Sequence, residues 1–231
     1  MTDFDYGAWV ARAQAFTDGL QSLPDAEVHA CAVAPAARDA ELDAVERAVG
    51  RTLPSSLRAF FARGAAALDC RYTFEPDGQA LEGLRELLPY ETGVYGGARI
   101  GPASELPDWS RSVGEWAEDT WVAESPDQKR VWESALPFAA LDNGDYLALD
   151  LRSDEADPPV VYLNHDDESS IITGTFEGFL GAWERLCYLG PEHWLLLEFA
   201  VPGGHLDPDS ERAARLRLLL ATSRSPEQPE R

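Results

Sequence analysis

At 231 residues the chain is long enough to bury one well-stabilised core, and a hydrophobic content of 45% sets it among globular proteins. No apolar run is long enough to cross a bilayer, and the acidic start MTDFDYGAWV lacks the basic and apolar regions of a secretory signal. A net charge of −22 disfavours direct nucleic-acid binding, because phosphates would be repelled; three cysteines far apart in sequence, Cys31, Cys70 and Cys187, with no CxxC pair, fit reduced cytoplasmic thiols better than a disulfide framework or a zinc site.

From Asp5 to Gln21, Trp9, Ala13, Phe16 and Leu20 recur at helical spacing, and Pro24 closes the segment. Residues 25 to 38 contain alanine and proline and read as irregular. Leu42, Val45 and Val49 form one helical stripe, ended by Gly50. Leu57, Phe60 and Phe61 form the next, with Pro54 and Ser55 at its start. A short strand is expected at Arg71 to Phe74, and a helix carrying Leu81, Leu84, Leu87 and Leu88 before Pro89. Tyr90 to Gly101 is turn-rich and too irregular for a phosphate-binding loop, which needs a strand before it and a helix directly after.

Leu106, Trp109, Val113 and Trp116 then recur at helical spacing, with Pro107 early in the segment. Strands are expected at Phe138-Ala139, Tyr146 to Leu151, Val160 to Leu163 and Ile171-Ile172. A tight turn at Asn143-Gly144 separates the first two, because glycine takes positive φ without cost and asparagine tolerates it. Leu147, Leu149 and Leu151 alternate with Tyr146, Ala148 and Asp150, which gives one apolar face. Phe176, Phe179, Leu180, Trp183 and Leu186 make the strongest amphipathic helix, N-capped by Thr175, stopped by Gly190-Pro191, with Trp183 in the core. His193 to Phe199 is ambiguous between strand and helix. Asp207-Pro208 opens a last helix with Ala213, Leu216 and Leu220, and the polar residues 223–231 read as a disordered tail.

Two blocks, ELDAVERAVGRTLPSSLRAFFARG (Glu41 to Gly64) and Leu136 to Trp183, stand in an order that resembles the SUKH superfamily of Smi/Knr type. The first is similar to the family's helix, Leu-Pro and second helix; the second is similar to its strand, Asx-Gly turn, strand and helix. The resemblance spans about residues 38–190, interrupted by an insert at about 72–133. Where relatives commonly carry an Asn-Gly-Gly type turn after the second helix, this chain reads RGAAALD, which suggests a longer helix end. The resemblance implies an α+β fold, a mostly antiparallel sheet packed with helices; with no internal repeat or interdomain linker in the sequence, the chain reads as one domain over 1–222 with N- and C-terminal helical additions. It also implies a non-enzymatic binding protein, with bacterial members acting as toxin-immunity proteins and fungal members as regulators of cell-wall synthesis. No catalytic residue, cofactor or metal ligand carries over from it.

The charge is uneven. Residues 104 to 168 hold 17 acidic and 4 basic residues, a net of −13. Such a surface speeds the encounter with a basic partner, although acidity also serves solubility alone. Asp142, Asp145 and Asp150 lack the ligand spacing and closing glutamate of a calcium loop, so the hairpin-turn reading is preferred. His165, Asp166, Asp167 and Glu168 form the densest polar cluster. A solvated loop is the default reading, and an acidic binding face ranks ahead of metal binding or acid–base catalysis. Trp109 and Trp116 share a helical face beside Asp108, Glu115, Glu118 and Asp119. Core packing is their default role, and a protein-binding hot spot is the functional alternative. The serines lack a GxSxG context, and Cys70 and Cys187 have no activating neighbour in sequence.

The expected binding face therefore comprises Asp108, Trp109, Glu115, Trp116, Glu118, Asp119, Asp166, Asp167 and Glu168. The expected partner is a basic toxin domain such as a nuclease, with neither nucleic acid nor membrane bound directly. A regulatory adaptor with a cellular partner is the alternative, and a metal-dependent hydrolase stands far behind.

Overall fold

The structure is a computed structural model that describes residues 4–152, 154–192, 195–196 and 198–222, the side chains at 120 and 121 excepted. The tail from residue 223, His193 and Trp194 lie outside the described residues, as does the side chain of Trp121.

Helix α1 (Tyr6–Leu20) starts at Asp5, whose carboxylate accepts the Ala8 N–H. Trp9, Ala13 and Leu20 face inward, and the Trp9 indole donates to the Leu180 carbonyl at 2.9 Å. Strand β1 (Ala26–Val33) follows, where an irregular segment was expected. Its residues, AEVHACAV, alternate only weakly, and a bulge between Val28 and Ala30 breaks the period. Pairing with a distant strand supplies the order that the local pattern does not. Helices α2 (Asp39–Val49) and α3 (Ser55–Arg63) come next. Gly50, at φ +80°, closes α2 in the left-handed conformation that glycine takes without cost. The longer helix end expected after α3 is overturned, because α3 stops at Arg63 and the chain turns at Gly64.

Strands β2 (Leu68–Phe74), β3 (Val94–Gly96) and β4 (Arg99–Ile100) complete a first antiparallel sheet with β1, and α4 (Gly78–Leu87) lies between β2 and β3. The strand expected at Arg71 thus begins at Leu68, and Tyr72 to Phe74 belong to β2 rather than to an insert. A short 3-10 turn (Ala103–Glu105) leads into α5 (Leu106–Ala117), α6 (Thr120–Glu124) and α7 (Pro126–Ser134). A second antiparallel sheet follows in the order β5 (Ala135–Ala140), β6 (Tyr146–Asp150), β7 (Val160–Leu163), β8 (Ser170–Thr173). The Gly101 N–H donates to the Phe138 carbonyl at 2.8 Å, which joins the sheets through β4 and β5. Helix α8 (Phe176–Arg185) is capped by the Thr175 hydroxyl, and α9 (Glu211–Thr222) closes the described chain. This is an α+β fold.

The main core draws on residues from Tyr6 to Leu220, with Trp9, Phe60, Phe61, Phe176 and Trp183 among its largest members. A smaller core lies on the other face of the second sheet. There Ala148, Val161 and Leu163 meet Val113 and Ala117 of α5 and Val131 and Trp132 of α7. The strand alternation read from sequence is present: Leu147, Leu149, Val160 and Tyr162 face the main core. The opposite face is not solvated, because α5 and α7 roof it.

Candidate protein-binding face

The roof is what positions the acidic residues. The β6 hairpin turn begins the arrangement. Gly144 sits at φ +94°, and the Asn143 side chain accepts the Asp145 N–H at 3.1 Å. The turn delivers Asp145 inward, where its carboxylate is 3% exposed. It accepts four bonds: Asn143 Nδ2 at 2.6 Å, Tyr162 Oη at 2.7 Å, the His165 N–H at 2.9 Å and His165 Nδ1 at 2.7 Å. A buried carboxylate surrounded by donors is a fixed anchor, since moving any donor away would strand a charge. Because Asp145 accepts, Nδ1 of His165 is assigned as the donor, and Nε2 lies 3.2 Å from Asp166.

The loop that follows is ordered by its own bonds. The Asn164 side chain accepts the N–H groups of Asp166 and Asp167, and Asp167 accepts that of Glu168. Ser169 N–H reaches Gln128 of α7 at 3.0 Å. From the other side Trp116 lays its ring against His165, with centroids 5.5 Å apart, and against Trp132 at 6.2 Å. The C-terminal end of α5, the start of α7 and the acidic loop are thereby held together.

Six of the nine expected face residues come together here or next to it in sequence: Trp116, Glu118, Asp119, Asp166, Asp167 and Glu168; Glu115 is exposed one residue before Trp116. Glu118 is partly neutralised by Lys129 at 2.8 Å. Among the described residues no arginine or lysine bridges Glu115, Asp119, Asp166, Asp167 or Glu168. Asp108 and Trp109 stand apart, about 10–12 Å from Trp116 along the helix at 1.5 Å per residue. Asp108 pairs with Arg111 at 2.9 Å. Trp109 packs on the main core and lines a hollow of about 360 Å³ with Asp69, Arg99 and Glu105. Both tryptophans are half-buried, so their rings serve packing at their inner edges.

The aspartates weighed as a calcium loop go separate ways. Asp142 pairs with Arg99 at 3.0 Å, Asp145 is enclosed as described, and Asp150, 5% exposed, is gripped by Arg152 at 2.6 Å. Beyond Arg99 and Asp142 lies Glu192, 7% exposed; burial pushes its carboxyl up, its own backbone hydrogen bond opposes that, and nearby Asp142 adds to it. The role of Asp145 was missed in sequence, although its place directly after Asn-Gly, with Tyr162 and His165 on the next strand and its exit, was a usable signal.

Residues 36–182 match the SMI1 / KNR4 family (SUKH-1). The chain belongs to this family. No curated protein matches it. At family level, SUKH membership supports a non-enzymatic immunity or regulatory role. The match covers α2, α3, strands β2 to β8, the whole roof and most of α8, while β1 precedes it, so α5 to α7 lie within the family's own span.

Proposed function

We propose that this SUKH-family protein is an immunity-type binding protein that neutralises a basic toxin domain, a nuclease being the natural candidate, by occlusion. The observation that carries the reading is the group of carboxylates at Glu115, Asp119, Asp166, Asp167 and Glu168, unbridged by arginine or lysine among the described residues and mounted on an ordered scaffold. Such a surface competes with phosphate for a cationic groove. Its rigidity lowers the ordering cost of docking, and its charge raises the association rate. The mechanism needs no reaction at the face. The ring nitrogens of His165 are engaged by Asp145 and Asp166, so the imidazole positions the loop.

The test is an affinity capture from the protein's own host at low salt, with mass-spectrometric identification of the bound protein. A stoichiometric basic partner with toxin activity is the expected result. Reversing Glu115, Asp119, Asp167 and Glu168 to arginine should then slow association about tenfold or more and flatten its salt dependence. Unchanged affinity and salt slope would place the face elsewhere. Capture of a cellular regulator in place of a toxin would move the reading to the adaptor role.

A further inference from the structure

Cys31 and Cys70 are 39 positions apart in sequence but directly opposite in the first sheet. The surrounding bonds define the kind of pair. Ala34 N–H donates to Ala67 on one side of the β1–β2 ladder, and Glu75 N–H donates to Asp25 on the other. Cys70 N–H points away from β1, to the Ala98 carbonyl at 3.0 Å. Cys31 and Cys70 therefore form a non-hydrogen-bonded pair, the type whose Cα atoms lie about 4.5 Å apart and whose side chains approach most closely. That separation falls within the range a disulfide spans. Both side chains point to the same side of the sheet, beneath α1, and Cys70 is also in contact with Thr17 of that helix.

We propose that Cys31 and Cys70 are a reversible redox site that closes to a cross-strand disulfide. Cys31 is half-buried on the edge strand and reachable, whereas Cys70 is fully buried. Burial holds the Cys70 thiol well above its ordinary range, so Cys31 makes the first attack. With a small-molecule disulfide as oxidant, the Cys31 thiolate attacks one oxidant sulfur and expels the other as a thiol. Cys70 then loses its proton and attacks Cys31 Sγ, expelling the second thiol. Two protein thiols are oxidised and one oxidant disulfide becomes two thiols, so electrons and protons balance. Cys187 is buried on the turn after α8, outside the β1–β2 register that sets this pair, and the proposed step does not use it. The inference is independent of the acidic face, which lies on the other sheet.

The test uses the full chain, folded, incubated with glutathione disulfide until the thiol titre is constant. The titre in denaturant should fall from the three cysteines of the sequence to one. The intact mass should drop by about 2 Da, with a Cys31–Cys70 linkage in the non-reducing peptide map. Cys31→Ser, a change at a half-exposed position, should fold as the parent does and keep both remaining thiols. Reduction should restore all three thiols in the parent. Three surviving thiols, a glutathione adduct that persists at Cys31, or a linkage through Cys187 or between chains would each overturn the proposal.

Discussion

Asp145→Ala is the sharpest test of how the acidic loop is held. Truncation removes the acceptor for four hydrogen bonds, among them those of the buried Tyr162 hydroxyl and the part-buried His165 N–H. A buried donor deprived of its acceptor costs about 1–3 kcal/mol. Two such losses, offset in part by no longer burying a carboxylate, give a destabilisation of about 3 kcal/mol. With an m-value of about 3 kcal/mol/M, the urea midpoint should fall by about 1 M. Asp145→Asn keeps the shape and one acceptor oxygen, and should fall about half as far. Amide exchange should rise in residues 164–169 well before it rises in β5 and β6, because the anchor serves the loop first. A midpoint shift for the alanine variant under about 0.3 M, with loop protection unchanged, would refute the reasoning.

Two further expectations concern other parts of the fold. Glu192 is buried with its pKa raised, so its ionised form weakens the native state. The sign follows: stability is full below the unfolded glutamate pKa and is lost as pH rises through the raised native value. Glu192→Gln should therefore raise the melting temperature at neutral pH, and that gain should vanish as the pH falls into the ordinary glutamate range; an equal gain at both ends would contradict it. Gly97 sits at φ +126°, and a Cβ there would lie 1.7 Å from the Cys70 carbonyl oxygen. Gly97→Ala should cost about 3–5 kcal/mol through strain and overlap. A variant melting within about 2 °C of the parent would show that β2 yields more easily than argued.

What sequence reading reached depended on how far each signal was local. The β6–β7–β8 strands and α8 were found because strict alternation, an Asn-Gly turn and a threonine cap all act within a few residues. Strand β1 was missed because AEVHACAV earns its order from β2, some 40 residues away, and carries a bulge at His29. Helices α6 and α7 went unread because their apolar positions are few: Val122, Val131 and Trp132 are buried, and polar residues fill much of the rest. The acidic residues of the candidate face were visible as composition. Their assembly was not, because it hangs on Trp116 meeting His165 and on Gln128 meeting Ser169, contacts across about 40–50 positions. The Asp108–Trp109 end was grouped with them by helical spacing alone, and the helix length separates it.

The roof over the second sheet has a consequence for how such a chain can change over generations. Val113, Ala117, Val131 and Trp132 look inward and are bound to the strands beneath them, while Glu115, Asp119 and Glu124 look outward and fill no cavity. Substitution at outward positions of this kind shifts stability by only about 0.5 kcal/mol in either direction. The packing residues and the exposed acidic residues thus lie on opposite sides of the same helices. The outward residues of these helices are therefore free to vary, one by one, without disturbing the fold that carries them.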